Sequence, residues 1–271
     1  MLRWLTALTL LACLIVTCSY ALWHYYARQL TSKQSQMLPI TALISPSPPD
    51  YVPEDLLSST LRRAGLPEYV GADPQQQFLI LRQWMRELES SAWVKSVHYR
   101  DTPSPHLEIK WSQVVPITFR SRQERVLAQW LANENAVLLA PITPARDQAG
   151  LPVYIYTDHL PALAAGKSLP SAFARACALA LFLAAYRAEL SLQAILVGHD
   201  PLVMDIRLQT VGGSIVLWQQ IEPPDSVTES DSRKLQRLLK YVRVWKSLDK
   251  PAGPYFFDNR FAESLLRRPL P

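Results

Sequence analysis

Gly166-Lys167-Ser168 has the composition that closes a phosphate-binding loop, in which backbone N–H groups and a lysine cradle a nucleotide's phosphates. That loop also needs glycine at position 161, where this chain has Pro161. The triplet therefore reads as a turn before a helix. Gly212-Gly213-Ser214-Ile215-Val216 starts like a nucleophile elbow but lacks its final glycine, so Ser214 reads as the first residue of a strand. His24, His98, His106, His159 and His199 form no His-x-x-x-His pair and stand beside no cysteine pair, whereas zinc needs three or four converging ligands. His98 and His106 read as surface residues facing each other across a hairpin. Asp225 and Asp231 fall in a stretch rich in Pro and Ser, where nothing would split their acidities for acid–base work. The expectation is a protein that is not an enzyme, with no catalytic, cofactor-binding or metal-ligating residues, no cofactor and no small-molecule substrate.

Composition narrows the classes further. The chain has 271 residues with a net charge of +5, and 49% of them are hydrophobic. It contains 22 Pro but only 8 Gly, where average usage would supply about 19 glycines. A glycine-poor backbone excludes the G-x-G-x-x-G turn, because Cβ atoms keep the chain away from a pyrophosphate. Disordered and collagen-like classes are excluded by the Leu, Val and Trp found throughout.

Trp4 to Trp23 carries no charged residue. Such a run is long enough to cross a hydrocarbon core of about 30 Å as a helix, and Tyr25 and Tyr26 follow where the chain would leave the bilayer. The expectation is an uncleaved transmembrane helix over 4–26, with a cytoplasmic head at 1–3 and the bulk of the chain outside the cytoplasm in the inner membrane. A cleaved signal peptide, with Ser19-Tyr20-Ala21 as its site, is the alternative. Cys13 and Cys18 lie in this run, which leaves Cys177 without an internal disulfide partner.

Beyond a tether at 27–37, the pattern predicts a strand at Leu38–Ile44 and a short helix at Glu54–Arg63. A second helix starts at the capping Asp73-Pro74 and carries its apolar stripe on Phe78, Leu81, Met85 and Leu88. Two-residue periodicity then takes over: Trp93, Val97 and Tyr99 on one strand, Leu107, Ile109 and Trp111 on the next. The remainder reads as strands around two helices, one at Pro170–Leu190 and one begun by Asp231. The second has an apolar stripe of Leu235, Leu238, Leu239, Val242 and Trp245, and a basic face of Arg233, Lys234, Arg237, Lys240, Arg243 and Lys246. Anionic lipid headgroups suit such a face better than nucleic acid does, which is not expected as a partner. A last strand begins at Tyr255.

This order resembles the FtsQ/DivIB cell-division family. Ser91-Ala92-Trp93-Val94-Lys95-Ser96-Val97 is similar to that family's p-W-V-k-x-v strand, and Pro105 to Trp111 to its P-x-x-L-x-I-x-v strand. Trp130 to Leu138 resembles its next hairpin. Gly213 to Leu217, Ser232-Arg233-Lys234-Leu235 and Phe257-Asp258-Asn259-Arg260-Phe261 follow in the family's sequence order. Asn259 stands where the family usually has Leu.

The resemblance implies an α+β protein: a POTRA-like β-α-α-β-β domain at 38–120, a mainly antiparallel β domain with covering helices at 121–265, and a tail at 266–271. It implies a membrane-anchored, non-enzymatic scaffold linking single-pass division proteins of the FtsL and FtsB type at the septum. The alternative is another POTRA-containing envelope protein in secretion or outer-membrane assembly. A terminal strand leaves a sheet edge to which a partner can add, with Tyr255, Phe256, Phe261, Leu265 and Arg267 as candidate contacts.

Overall fold

The computed structural model describes residues 19–20, 22–23, 37–71, 73–102, 104–142, 151–199, 202, 204–222, 229–260 and 265–270. These fall into two compact units: residues up to Ser90 with Ser96–Lys110, and Ser91–Lys95 with Trp111 onward. The second unit takes in Trp111–Arg120, which the sequence pattern assigns to the first domain.

In the first unit β1 (Leu38–Pro39) pairs antiparallel with β3 (Tyr69–Val70). A separate three-stranded sheet has the order β2 (Ile44–Ser45), β5 (His106–Trp111), β4 (Val94–Arg100), with β2 parallel to β5. Helices α1 (Leu56–Arg63) and α2 (Pro74–Glu89) pack against each other. The Asp73 carboxylate accepts the Gln75 N–H at 3.1 Å and Pro74 occupies the first turn, so the cap predicted from sequence starts α2. Its buried stripe is Gln77, Leu81, Trp84 and Leu88. Phe78 instead faces outward, edge-on to Tyr99 with ring centroids 5.1 Å apart.

The second unit is one nine-stranded sheet. Its order is β14 (Leu266–Pro269), β13 (Tyr255–Asp258), β12 (Ile215–Glu222), β11 (Met204–Thr210), β10 (Leu192–Val197), β9 (Val153–Tyr156), β6 (Val114–Arg120), β7 (Val126–Asn133), β8 (Leu138–Pro141). Helices α3 (Ser171–Ala184) and α4 (Asp231–Trp245) share one apolar core with it, including Cys177, Leu183, Ile195, Ile206, Trp218 and Leu238.

The large sheet is mainly antiparallel, as expected, but three of its eight pairings, β6–β9, β9–β10 and β12–β13, are parallel. A parallel neighbour needs a crossover of about a dozen residues or more, and α3 and α4 are the crossovers that carry β9 to β10 and β12 to β13. One expectation about fold class is corrected: the transmembrane helix over 4–26 is not supported, since no helix among the described residues is long and apolar enough to cross a membrane. Within 4–26 only Ser19, Tyr20, Leu22 and Trp23 are described, as exposed helical residues. The rest of that span, the head at 1–3 and the tether up to Gln36 lie outside the described residues.

Two polar clusters fix α4 and the strands it joins. Asp231, at its start, accepts two hydrogen bonds from Arg175 of α3 at 2.8 and 2.5 Å and one from Trp218 Nε1 at 2.9 Å. Burial opposes ionisation of Asp231, but the Arg175 and Trp218 hydrogen bonds overcome it and hold the carboxyl below its ordinary 3.8. A carboxyl depressed on folding stabilises fully above its unfolded value, and that contribution is lost as pH falls through the folded value. The stability difference between the native protein and Asp231→Asn is therefore expected to be largest above about pH 5 and to shrink toward pH 3, as chemical denaturation at several pH values measures.

The second cluster closes the β11–β12 turn. Asp249 accepts the Thr210 hydroxyl at 2.6 Å and the Ser214 N–H at 3.2 Å. A Cβ added at Gly212 would sit 2.4 Å from the Asp249 carboxyl carbon, and that carboxylate is tied in place. Gly212→Ala is expected to cost about 2 kcal/mol, read as a lower denaturation midpoint with an unchanged slope.

Candidate partner-binding edge

β14 is the outermost strand of the large sheet, and all four of its residues are exposed. Its register is Tyr255 opposite Pro269, Phe256 opposite Arg268, Phe257 opposite Arg267 and Asp258 opposite Leu266. The Leu270 N–H donates to the Pro254 carbonyl at 3.0 Å, which sets the phase of the ladder. Since mutually bonded pairs alternate along an antiparallel ladder, Arg268 and Leu266 turn their backbone groups toward β13. Arg267 and Pro269 turn theirs to the outer side. Arg267 offers both an N–H and a carbonyl there; Pro269 offers only a carbonyl.

Side chains distinguish the two faces of this edge. On the α4 face Tyr255 and Phe257 are buried, and Tyr241 packs edge-on against Phe257 at 5.1 Å. The Arg267 guanidinium lies 4.7 Å from the Tyr255 ring and 5.7 Å from both Tyr241 and Trp245. It donates to the Tyr241 hydroxyl at 2.6 Å, and this hydrogen bond raises its already high pKa. On the other face the Arg268 guanidinium stacks 4.4 Å from the half-buried Phe256. Two cations held on aromatic rings thus flank the open ladder.

A buried knot holds β13 in register beneath it. Lys234, 1% exposed, donates from Nζ to the Trp218 carbonyl at 2.7 Å. Its own carbonyl accepts Asn259 Nδ2 at 3.2 Å, and Arg237 donates to both the side-chain oxygen and the carbonyl of Asn259 at 3.0 Å. Glu229 pairs with Arg237. On either side of Asn259, Arg260 clasps Asp258 at 2.7 Å; burial pushes that carboxyl up, and the Arg260 hydrogen bonds carry it below its ordinary value.

Of the residues expected to contact a partner, Tyr255 is core, Phe256 is half-buried and Arg267 is exposed. Leu265 is partly buried and packs against the main core. Phe261 lies outside the described residues. The sequence pattern missed the Tyr241–Trp245 wall and the Lys234–Asn259 knot. A signal for the knot exists: Lys234, Leu238 and Val242 repeat every four residues, which puts a lysine on the inward stripe. The basic face is accordingly smaller than expected, since Lys234 is buried and Arg237 is paired.

The other motif residues are dispersed. Ser214 is buried, and its hydroxyl accepts the Tyr255 N–H at 2.9 Å. Lys167 donates to the Ala162 carbonyl at 2.6 Å. His106 Nδ1 bonds the Ser104 carbonyl, and His199 lies edge-on to Tyr156. His24 and Asp225 lie outside the described residues. Among the described residues no three His, Cys, Asp or Glu side chains are grouped to hold a metal ion. No family model and no curated protein sequence matches the chain.

Proposed function

We propose that this protein is a non-enzymatic scaffold of the bacterial division machinery, of the FtsQ/DivIB kind, which holds FtsL- or FtsB-like division proteins at the septum. The observation that carries the reading is the outer side of β14, where Arg267 presents a backbone donor and acceptor to the next strand. An extended partner segment adds there as a tenth strand: main-chain bonds supply affinity, and flanking side chains supply selection. Two further features support it. From Ile44 to Trp111 the chain runs strand, helix, helix, strand, strand, with the two-residue β3 between the helices. Lys234 and Ser214, which lie in segments that carry the family resemblance, help fix β12 and β13 beneath the edge, together with Asn259, which departs from the family pattern.

A fluorescent fusion to the full chain, imaged in dividing cells, tests the role. The reading expects a band at midcell that depends on division. A uniform distribution through cells that are constricting overturns it.

A further inference from the structure

We infer that the outer face of α4 and its C-terminal turn form a docking surface for an anionic lipid bilayer, separate from the β14 edge. Arg233, Lys240 and Arg243 are exposed along this face, and Lys246 and Lys250 are exposed just beyond it. No Asp or Glu occurs from Ser232 to Leu248. Among the described residues, no carboxylate is within ion-pair distance of Lys240, Arg243, Lys246 or Lys250. Among the described residues the charges of Lys240, Arg243, Lys246 and Lys250 are therefore uncompensated, unlike those of Arg175, Arg237 and Arg260, each held by a carboxylate.

The second feature is apolar exposure at the same place. Val244 is 65% exposed beside Arg243, whereas Trp245 turns toward Tyr241 and Arg267. Lys240, Arg243 and Val244 stand at i, i+3 and i+4 and so share one face. Lys246 adopts φ of 68° and ends the helix there. An exposed valine flanked by cations suits a headgroup boundary, with lysine and arginine on the phosphates and the apolar side chain against the acyl region.

Charge distribution selects the occupant. From Arg233 to Lys246 the cations are strung over about 20 Å of helix. A bilayer presents negative charge continuously over that length, and each lysine or arginine adds attraction without a fixed partner geometry. An acidic peptide would have to match the cations one by one; it is the competing occupant.

Flotation of the full-length protein with vesicles tests the proposal. One set is pure phosphatidylcholine; the other contains about one third phosphatidylglycerol. The native protein is expected to partition onto the anionic set, and R243E/K246E to lose more than about thirtyfold in partition coefficient there. On neutral vesicles the two should partition alike, which removes any contribution from the apolar run at 4–23. If charge reversal disturbs folding, as circular dichroism would show, R243Q/K246Q gives the same test with about a thirtyfold loss. Equal partitioning of native and variant protein onto anionic vesicles overturns the proposal. So does a variant that loses capture of a polyglutamate peptide while keeping its vesicle binding, which would assign the surface to an acidic protein. Neither substitution touches β14, so capture of a division partner reports on the edge independently.

Discussion

Trp218→Ala is expected to remove about 4 kcal/mol of stability and to lower the melting temperature by about 10 °C. Trp218 is fully buried on β12 and belongs to the core shared by both helices. Its indole N–H satisfies Asp231, and its carbonyl receives the Lys234 ammonium. Truncation opens a large cavity and leaves Asp231 with one donor fewer. Trp218→Phe separates the two effects: it keeps most of the apolar volume but removes the indole donor from Asp231, which keeps its two Arg175 hydrogen bonds, at an expected cost of about 1–2 kcal/mol. Chemical denaturation of both variants measures the partition. Equal losses would mean that the hydrogen bond, and not the packing, dominates.

The second large effect is on binding. Arg267→Pro is expected to weaken capture of an FtsL- or FtsB-type partner about tenfold or more, because proline removes the outward N–H and crowds an incoming strand. The native ladder does not use that N–H, since β14 bonds to β13 through Leu266 and Arg268. The domain should therefore stay folded. Arg267→Ala, which removes the stacked guanidinium but keeps the amide, is expected to lose only about threefold. Pull-down with purified partner ectodomains compares them. If the alanine variant loses as much as the proline variant, the side chain and not the backbone edge makes the contact.

Local signals in the sequence reach part of this arrangement. Asp73-Pro74 marks the start of α2, and the alternation of Leu107, Ile109 and Trp111 marks β5, because capping and a half-buried strand each leave a short-range pattern. Leu235, Leu238 and Val242 mark the inner stripe of α4 in the same way. The edge itself left no such trace. Leu-Arg-Arg-Pro at 266–269 has no apolar alternation and every residue is exposed; it is a strand because β13 offers it a ladder. Tyr255 and Phe257, which read as a terminal strand, are core for the same reason. The parallel pairings were equally hidden, since they depend on where α3 and α4 return the chain and not on any window of residues. Lys234 shows the limit of charge patterns: a lysine in an apolar stripe reads as surface until its carbonyl partner, sixteen residues away, is seen.

Amide hydrogen exchange across residues 265–270, with and without the ectodomain of an FtsB-type partner, tests edge pairing most directly. The Arg267 amide is expected to slow about tenfold or more when the partner is bound, while the amides of β13, already bonded within the sheet, change little. A partner that binds and leaves the Arg267 amide exchanging at its free rate would contradict it.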